Sequence, residues 1–340
     1  MLGPAFAFKC LLSPKVKVHL FRTCPIIRSG LSSFSLRTSD LQPMTVFHRK
    51  ILRGILNFSK CVSIPAIHFL LGEIPIEAKI HRDIFSLFYS VWSNPDTKIY
   101  HIVKYLLETS PENSRTWSCH LRNLCKKYAK QDPLKSLESD PPSKSSYKTD
   151  INIKIQAYHE NILRTQAKDN STMQYLNTSL YGLNGKNHPA LSNIITSHQV
   201  QKSRIHLKML TGNYLTYEVK AKQSGGSAHC RCCVPPTPSE NLEHILTICS
   251  AYSDIRNRMT EEYMILCTLA KTDVFWQDML SDKNTFCQFI LDPASFNLRH
   301  RIHLSDPILG ALFELSRDYC FAVNAERQKI LGSLQKQKGN

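Results

Sequence analysis

The chain has 340 residues, of which 42% are hydrophobic and 9% aromatic, so a packed core can form and disorder along its whole length is excluded. Its longest uncharged apolar stretch, Cys61 to Gly72, contains Pro65 and His68 and is far short of the roughly 18–20 residues that span a bilayer. The formal charge of +16 points to an acidic partner, and nucleic acid is the simplest polyanion.

The charge is unevenly placed. Residues 1–60 carry ten basic side chains against the single acid Asp40. Residues 61–150 are close to balanced, at +2, and residues 151–228 are again basic, at +6. From residue 229 onward the net charge is −1. The basic character therefore stops where the cysteines cluster. The N-terminal stretch, acid-free before Asp40, resembles a mitochondrial transit peptide in composition. Pro4, Pro14 and Pro25 would interrupt a long amphipathic helix there, so a nuclear or cytoplasmic location is the expectation.

In chain order, two alternating runs, Val16–Phe21 and Leu215–Val219, read as short strands; the rest of the periodicity is helical. Met44–Lys60 reads as a helix with Val46, Phe47, Ile51, Leu52 and Ile55 inward and Arg49, Lys50 and Arg53 forming a basic wet face. Ile64–Leu71 is stopped by Gly72, and Pro75 opens a helix through Ile80, Phe85 and Trp92. Asn94-Pro95 reads as the cap of Lys98–Glu108, with Ile99, Ile102, Val103, Leu106 and Leu107 inward. Arg115–Lys130 is a further helix. Residues 132–148, rich in Pro and Ser, read as a linker between a helical domain at 61–131 and a basic helical region at 149–228. In that region Tyr147–Lys168 and Thr196–Leu210 are helical, and no acid occurs between Asp169 and Glu218. Beyond the cysteines, residues 259–340 continue as helices. The expected fold is a mostly α, multi-helical array with few short strands.

Eight of the twelve cysteines are scattered, Cys61 among them, and read as small core residues. The other four, Cys230, Cys232, Cys233 and Cys249, fall in HCRCCVPPTPSENLEHILTICSA. Cys230 and Cys233 form C-x2-C, His244 follows after ten intervening residues and Cys249 after four more. A knuckle, a Pro235–Pro238 reversal and a helix from Glu240 capped by Ser239 would bring three thiolates and one imidazole together within 229–258. That donor set suits Zn²⁺, and four protein ligands leave no open position, so the site is structural. Cys232 competes with Cys233, although C-x-C is a tighter bite than usual; His229 is a weaker candidate.

Catalytic signatures are missing. No Asp-Asp pair exists for a two-metal polymerase site, and Gly185-Lys186 is followed by Asn187, not Ser or Thr. Ser227 lacks the glycine of a nucleophile elbow, and after the cysteine segment no Pro-Asp precedes an acid and lysine in nuclease order.

The order of several pieces resembles the C-terminal region of the reverse-transcriptase protein of non-LTR (LINE-type) retrotransposons. These pieces are PIIRSGL at 25–31, FHRKIL at 47–52, FLLGEIPIE at 69–77, LKMLTGNY at 207–214 and the cysteine segment with Arg256 behind it. The resemblance reaches to about residue 260. It implies that 1–60 is thumb-like, that 229–258 is a CCHC zinc element, and that both contact template RNA or target DNA. The Asp-Asp polymerase module of that family lies outside this sequence, so a non-catalytic nucleic-acid-binding fragment or descendant is expected. From charge and periodicity, Lys15, Lys17, Arg49, Lys50 and Arg53 are the candidate contacts. A zinc-stapled helical module that binds proteins is the competing reading, and an enzyme built from dispersed acids is a third.

Overall fold

A computed structural model describes residues 13–23, 30–111, 114–233, 238–269, 280, 282–299 and 304–338. The fold is mostly α, and among the described residues no strand forms; one isolated antiparallel bridge joins His229 to Ser239. The helices are α1 (Pro14–Thr23), α2 (Thr38–Leu56), α3 (Ile64–Leu71), α4 (Ile76–Trp92), α5 (Lys98–Thr109), α6 (Trp117–Lys127) and α7 (Pro133–Leu137). They continue as α8 (Lys144–Lys168), α9 (Ser197–Leu210), α10 (Tyr217–Ser224), α11 (Ser253–Leu269), α12 (Lys283–Leu291), α13 (Pro293–Arg299) and α14 (Asp306–Lys338). Many start at a short polar side chain that accepts a first-turn N–H: Ser63 for α3, Thr116 for α6, Ser143 for α8, Thr196 for α9 and Asp282 for α12. Such a cap satisfies one of the donors that a helix start leaves orphaned.

Both expected strands are helical. Val16–Phe21 lies inside α1, and Leu215–Val219 runs into α10, whose cap is Thr216. An alternating run of six or fewer residues also fits a helix, and packing decides between them. The Asn94-Pro95 cap is displaced as well. Thr97 caps α5, while the Asn94 amide donates back to the Ser90 carbonyl at 2.7 Å.

Two hydrophobic cores form. One gathers α4 to α8 around Phe85, Phe88, Leu121, Leu124, Ile151 and Ile155. The expected linker is part of it. Trp92 Nε1 donates to the Ser139 carbonyl at 2.8 Å, Tyr100 Oη to Leu137 at 2.9 Å and Tyr89 Oη to Pro142 at 2.7 Å. Leu137 and Tyr147 are buried beneath these contacts. Pro and Ser mark the end of long helices there, not a release from packing. On α5 only Val103 and Leu107 of the five expected residues are buried; Ile99, Ile102 and Leu106 face outward.

The other core joins distant parts of the chain: Ile51, Leu52 and Ile55 of α2, Leu70 of α3, Leu207 and Leu210 of α9, and Phe289, Phe313 and Tyr319 from α12 and α14. Of the scattered cysteines, Cys267, Cys287 and Cys320 sit here, and Cys119 and Cys125 are buried near the first core. Cys61 is exposed, contrary to its core assignment, while Cys10 and Cys24 lie outside the described residues. The cores meet where Gly72 closes α3 in the left-handed region at φ 59°. Its carbonyl accepts from Gly185 N at 2.9 Å, and a Cβ there would stand 2.1 Å from the Lys186 carbonyl oxygen. Only glycine allows this crossing.

Candidate metal centre

The cysteine knuckle is held by backbone before any ion is considered. Cys230 N donates to the Pro238 carbonyl at 3.0 Å and Glu240 N to Ala228 at 2.8 Å, closing the loop on itself. The following turn is capped by Asn241, whose Oδ1 accepts from His244 N at 2.7 Å. Ser239, the expected cap, is instead in the bridge with His229. Pro235 lies outside the described residues.

His244–Ile248 forms a π turn, with Cys249 N donating to the His244 carbonyl at 2.7 Å. This register explains how H-x4-C works. In an α-helix five positions turn the chain by about 500°, leaving the two side chains about 140° apart. The wider i→i+5 turn brings His244 and Cys249 onto one side.

Cys230, Cys233, His244 and Cys249 converge, with all ligand atoms within 4.8 Å of one another, and could hold a metal ion. Cys233 Sγ is 3.3 Å from His244 Nε2 and 3.2 Å from Cys249 Sγ; Cys230 and Cys249 sulfurs are 3.9 Å apart. Cys230, His244 and Cys249 are buried and Cys233 half-buried. Hydrogen bonds from Cys232 and Cys249 hold the Cys230 thiol well below its usual range. The same contact with Cys230, together with burial, pushes Cys249 up. Sulfurs so close cannot all ionise alone, and a dication would displace the remaining protons.

Cys232 is directed elsewhere. Its sulfur accepts from Tyr252 Oη at 3.1 Å, and it groups with Cys230 and Glu240, not with His244. Its backbone N–H donates to Cys230 Sγ at 3.4 Å, which orients a ligand sulfur without ligating.

Three supports hold the knuckle from outside the ligand set. Glu240, fully buried, accepts at Oε1 from Tyr217 N at 2.9 Å and from Arg327 Nη2 at 2.6 Å, tying the knuckle to α10 and α14 across 87 residues. Arg256, which trails the cysteine segment, donates to the Cys249 carbonyl at 3.2 Å. Tyr319 Oη donates to the Leu246 carbonyl.

The five basic candidates fare differently. Lys15 and Lys50 are exposed. Lys17 is fully buried, because the helical turn of α1 stacks it under Phe21 and beside Val18; a strand would have set Lys17 and Val18 on opposite faces. It is removed from the surface set. Arg49 and Arg53 are half-buried and four positions apart; burial lowers both, and the Arg53 charge lowers Arg49 further. Val46 and Phe47, expected inward, are exposed beside Lys50, while His48, Ile51, Leu52 and Ile55 face the core. The wet face of α2 is therefore mixed, not purely basic. A second like-charged pair, Arg204 and Lys208 on α9, was not singled out by periodicity; burial, then Arg204, lowers Lys208.

No helix among the described residues is long and apolar enough to cross a membrane. No family model, curated protein or solved structure matches the chain.

Proposed function

We propose that the protein is a non-catalytic nucleic-acid-binding protein, stapled by one structural zinc ion and descended from the thumb and CCHC region of a retrotransposon reverse transcriptase. Zinc is supported by the donor set. A tetrahedral ion with Zn–S near 2.3 Å separates its sulfurs by about 3.8 Å. The 3.2 and 3.9 Å sulfur separations need little adjustment to accept it. Four protein donors leave no open coordination position, so the ion folds the knuckle and does no chemistry.

The observation that carries nucleic-acid binding is the pair of like-charged couples, Arg49/Arg53 on α2 and Arg204/Lys208 on α9. None of the four has a carboxylate within salt-bridge distance among the described residues. Like charges at i, i+4 destabilise a helix by a few tenths of a kcal/mol, a cost that a bound polyanion removes. The acid-free stretch between Asp169 and Glu218 widens this basic surface. Affinity for single-stranded RNA should fall with log salt at a slope of about −0.7 per phosphate neutralised. Reversing Arg49, Lys50 and Arg53 to Glu flattens that slope. Binding indifferent to salt would sink the reading.

A second reading, a zinc-stapled protein-interaction module, is favoured by one feature: Ile99, Ile102 and Tyr105 stand 57–63% exposed along α5. Under it, partner binding survives the triple charge reversal and is lost on Ile102→Asp. For the ion, Cys233→Ser should lose about one equivalent of zinc; full retention transfers the ligand role to Cys232.

A further inference from the structure

Helix α5 touches the first core with little of its circumference: only Val103 and Leu107 are buried. Ile99, Ile102 and Leu106, at i, i+3 and i+7, share another face with Tyr105, three positions beyond Ile102, and all four are exposed. A surface helix ordinarily turns its polar stripe to water. A contiguous apolar patch of a few hundred Å² marks an interaction surface on a protein.

The charges at the two ends of α5 oppose its own dipole. Lys98 stands in the first turn, at the positive end, and Glu108 in the last, at the negative end. No acid stands in the first turn of the helix and no base in the last. Asp96 precedes the Thr97 cap and is outside the helix. Lys98 and Glu108 are exposed, and among the described residues neither makes an ion pair or a side-chain hydrogen bond.

Both placements disfavour an isolated helix and favour one lying antiparallel to its own copy. Around a two-fold axis near Val103, residues whose numbers sum to about 206 face each other. Lys98 then meets Glu108 of the second copy at the negative end of that helix, and Glu108 meets Lys98 of the second copy at the positive end. On the same seam Ile99 falls beside Leu106 and Ile102 beside Tyr105. A parallel pair would set Lys98 on Lys98 and Glu108 on Glu108. A foreign helix would have to bring both opposite charges at this spacing, whereas a second copy already carries them.

We propose that α5 is the seam of a homodimer, in which two copies pair antiparallel through Ile99, Ile102, Tyr105 and Leu106 and join Lys98 to Glu108 at each end. Such a dimer rests on the α5 face invoked for protein interaction and names its partner; it needs none of the α2 and α9 cations. A helix of 12 residues is about 18 Å long. A seam of that length covers less than the roughly 800 Å² per partner of a tight complex, so the dissociation constant is expected in the micromolar range.

Sedimentation equilibrium of the full chain, stripped of nucleic acid, between about 1 and 100 μM tests it. The dimer fraction should rise with concentration, and Ile102→Asp should weaken association at least about twentyfold. Lys98→Glu and Glu108→Lys should each weaken it at least about fivefold, because each sets like charges together at both ends. An equimolar mixture of these two variants restores both end pairs and should associate within about threefold of the wild type. A chain that stays monomeric throughout overturns the homodimer and leaves protein interaction through α5 standing. Association unchanged in Ile102→Asp or in both charge variants, or a mixture no stronger than its components, overturns it as well. Should Ile102→Asp fail to fold, the two charge variants and their mixture decide.

Discussion

The two cores solve the same problem by different means. The α4–α8 core is assembled from consecutive helices, with α8 returning to close on α4. The core around the cysteine cluster recruits α1–α3, α9, α11 and α14, and between them it must hold a knuckle that has neither strand nor regular helix. Consecutive amphipathic helices bury enough apolar surface to stand on packing alone. A loop of about twenty residues cannot, and four convergent donors supply what packing lacks. The difference teaches where in this chain a bound ion would contribute most.

Chelation should give the largest effect. Structural zinc in small domains is worth roughly 10–16 kcal/mol of apparent binding energy. Removing the metal is expected to abolish amide protection across 228–252 while residues 76–163 keep theirs. Loss of protection in both regions together would merge the two cores into one cooperative unit.

Arg327→Met comes next, because it leaves Glu240 buried without its cation, at a cost of about 3–5 kcal/mol. Chemical denaturation should show this loss with zinc content unchanged. In the helical core, Leu121→Ala removes a fully buried side chain at a cost of about 2–5 kcal/mol. Metal affinity, measured by competition with a chromophoric chelator, should stay at the wild-type value.

A last test is the acid sensitivity of the helical core. His81 Nδ1 lies 2.6 Å from Tyr128 Oη, which lies 3.0 Å from His159 Nε2, all buried. Burial lowers His81 to about 2 and His159 to about 4, from an ordinary 6.5. Both are neutral in the fold, and the unfolded chain takes up protons first. Stability from this trio is complete above pH 6.5 and declines as the pH falls toward 4, by about 1.4 kcal/mol per unit per histidine. Hydrogen exchange of residues 76–163 in metal-free protein should follow that window, and His159→Gln should remove one proton from the slope. A flat profile from pH 7 to 4.5 would mean that the histidines are solvated.

Much of this was legible in the sequence. Gly72 ends α3 as its stop signal dictates, and C-x2-C-x10-H-x4-C names the four convergent donors, because short-range spacing constrains local geometry tightly. The facing of α2 was not legible. Its apolar residues occur nearly all round, so only tertiary contact decides that His48 goes in and Phe47 out. The burial of Lys17 was hidden by a run that fits two periodicities. Glu240 and Arg327 gave no signal at all, since partners 87 residues apart leave no mark on either neighbourhood.

The crossing of Gly72 over residues 185–186 also constrains when things happen. During synthesis, α1–α3 emerge early, but Phe289, Phe313 and Tyr319 of their core emerge more than two hundred residues later. At about 5–20 residues per second that is a wait of roughly ten to forty seconds. Throughout it, Ile55, Leu70 and their neighbours lack the partners that α12 and α14 supply, while the α4–α8 helices already have each other. The first segment of such a nascent chain is therefore exposed to misassociation for longer than its middle one.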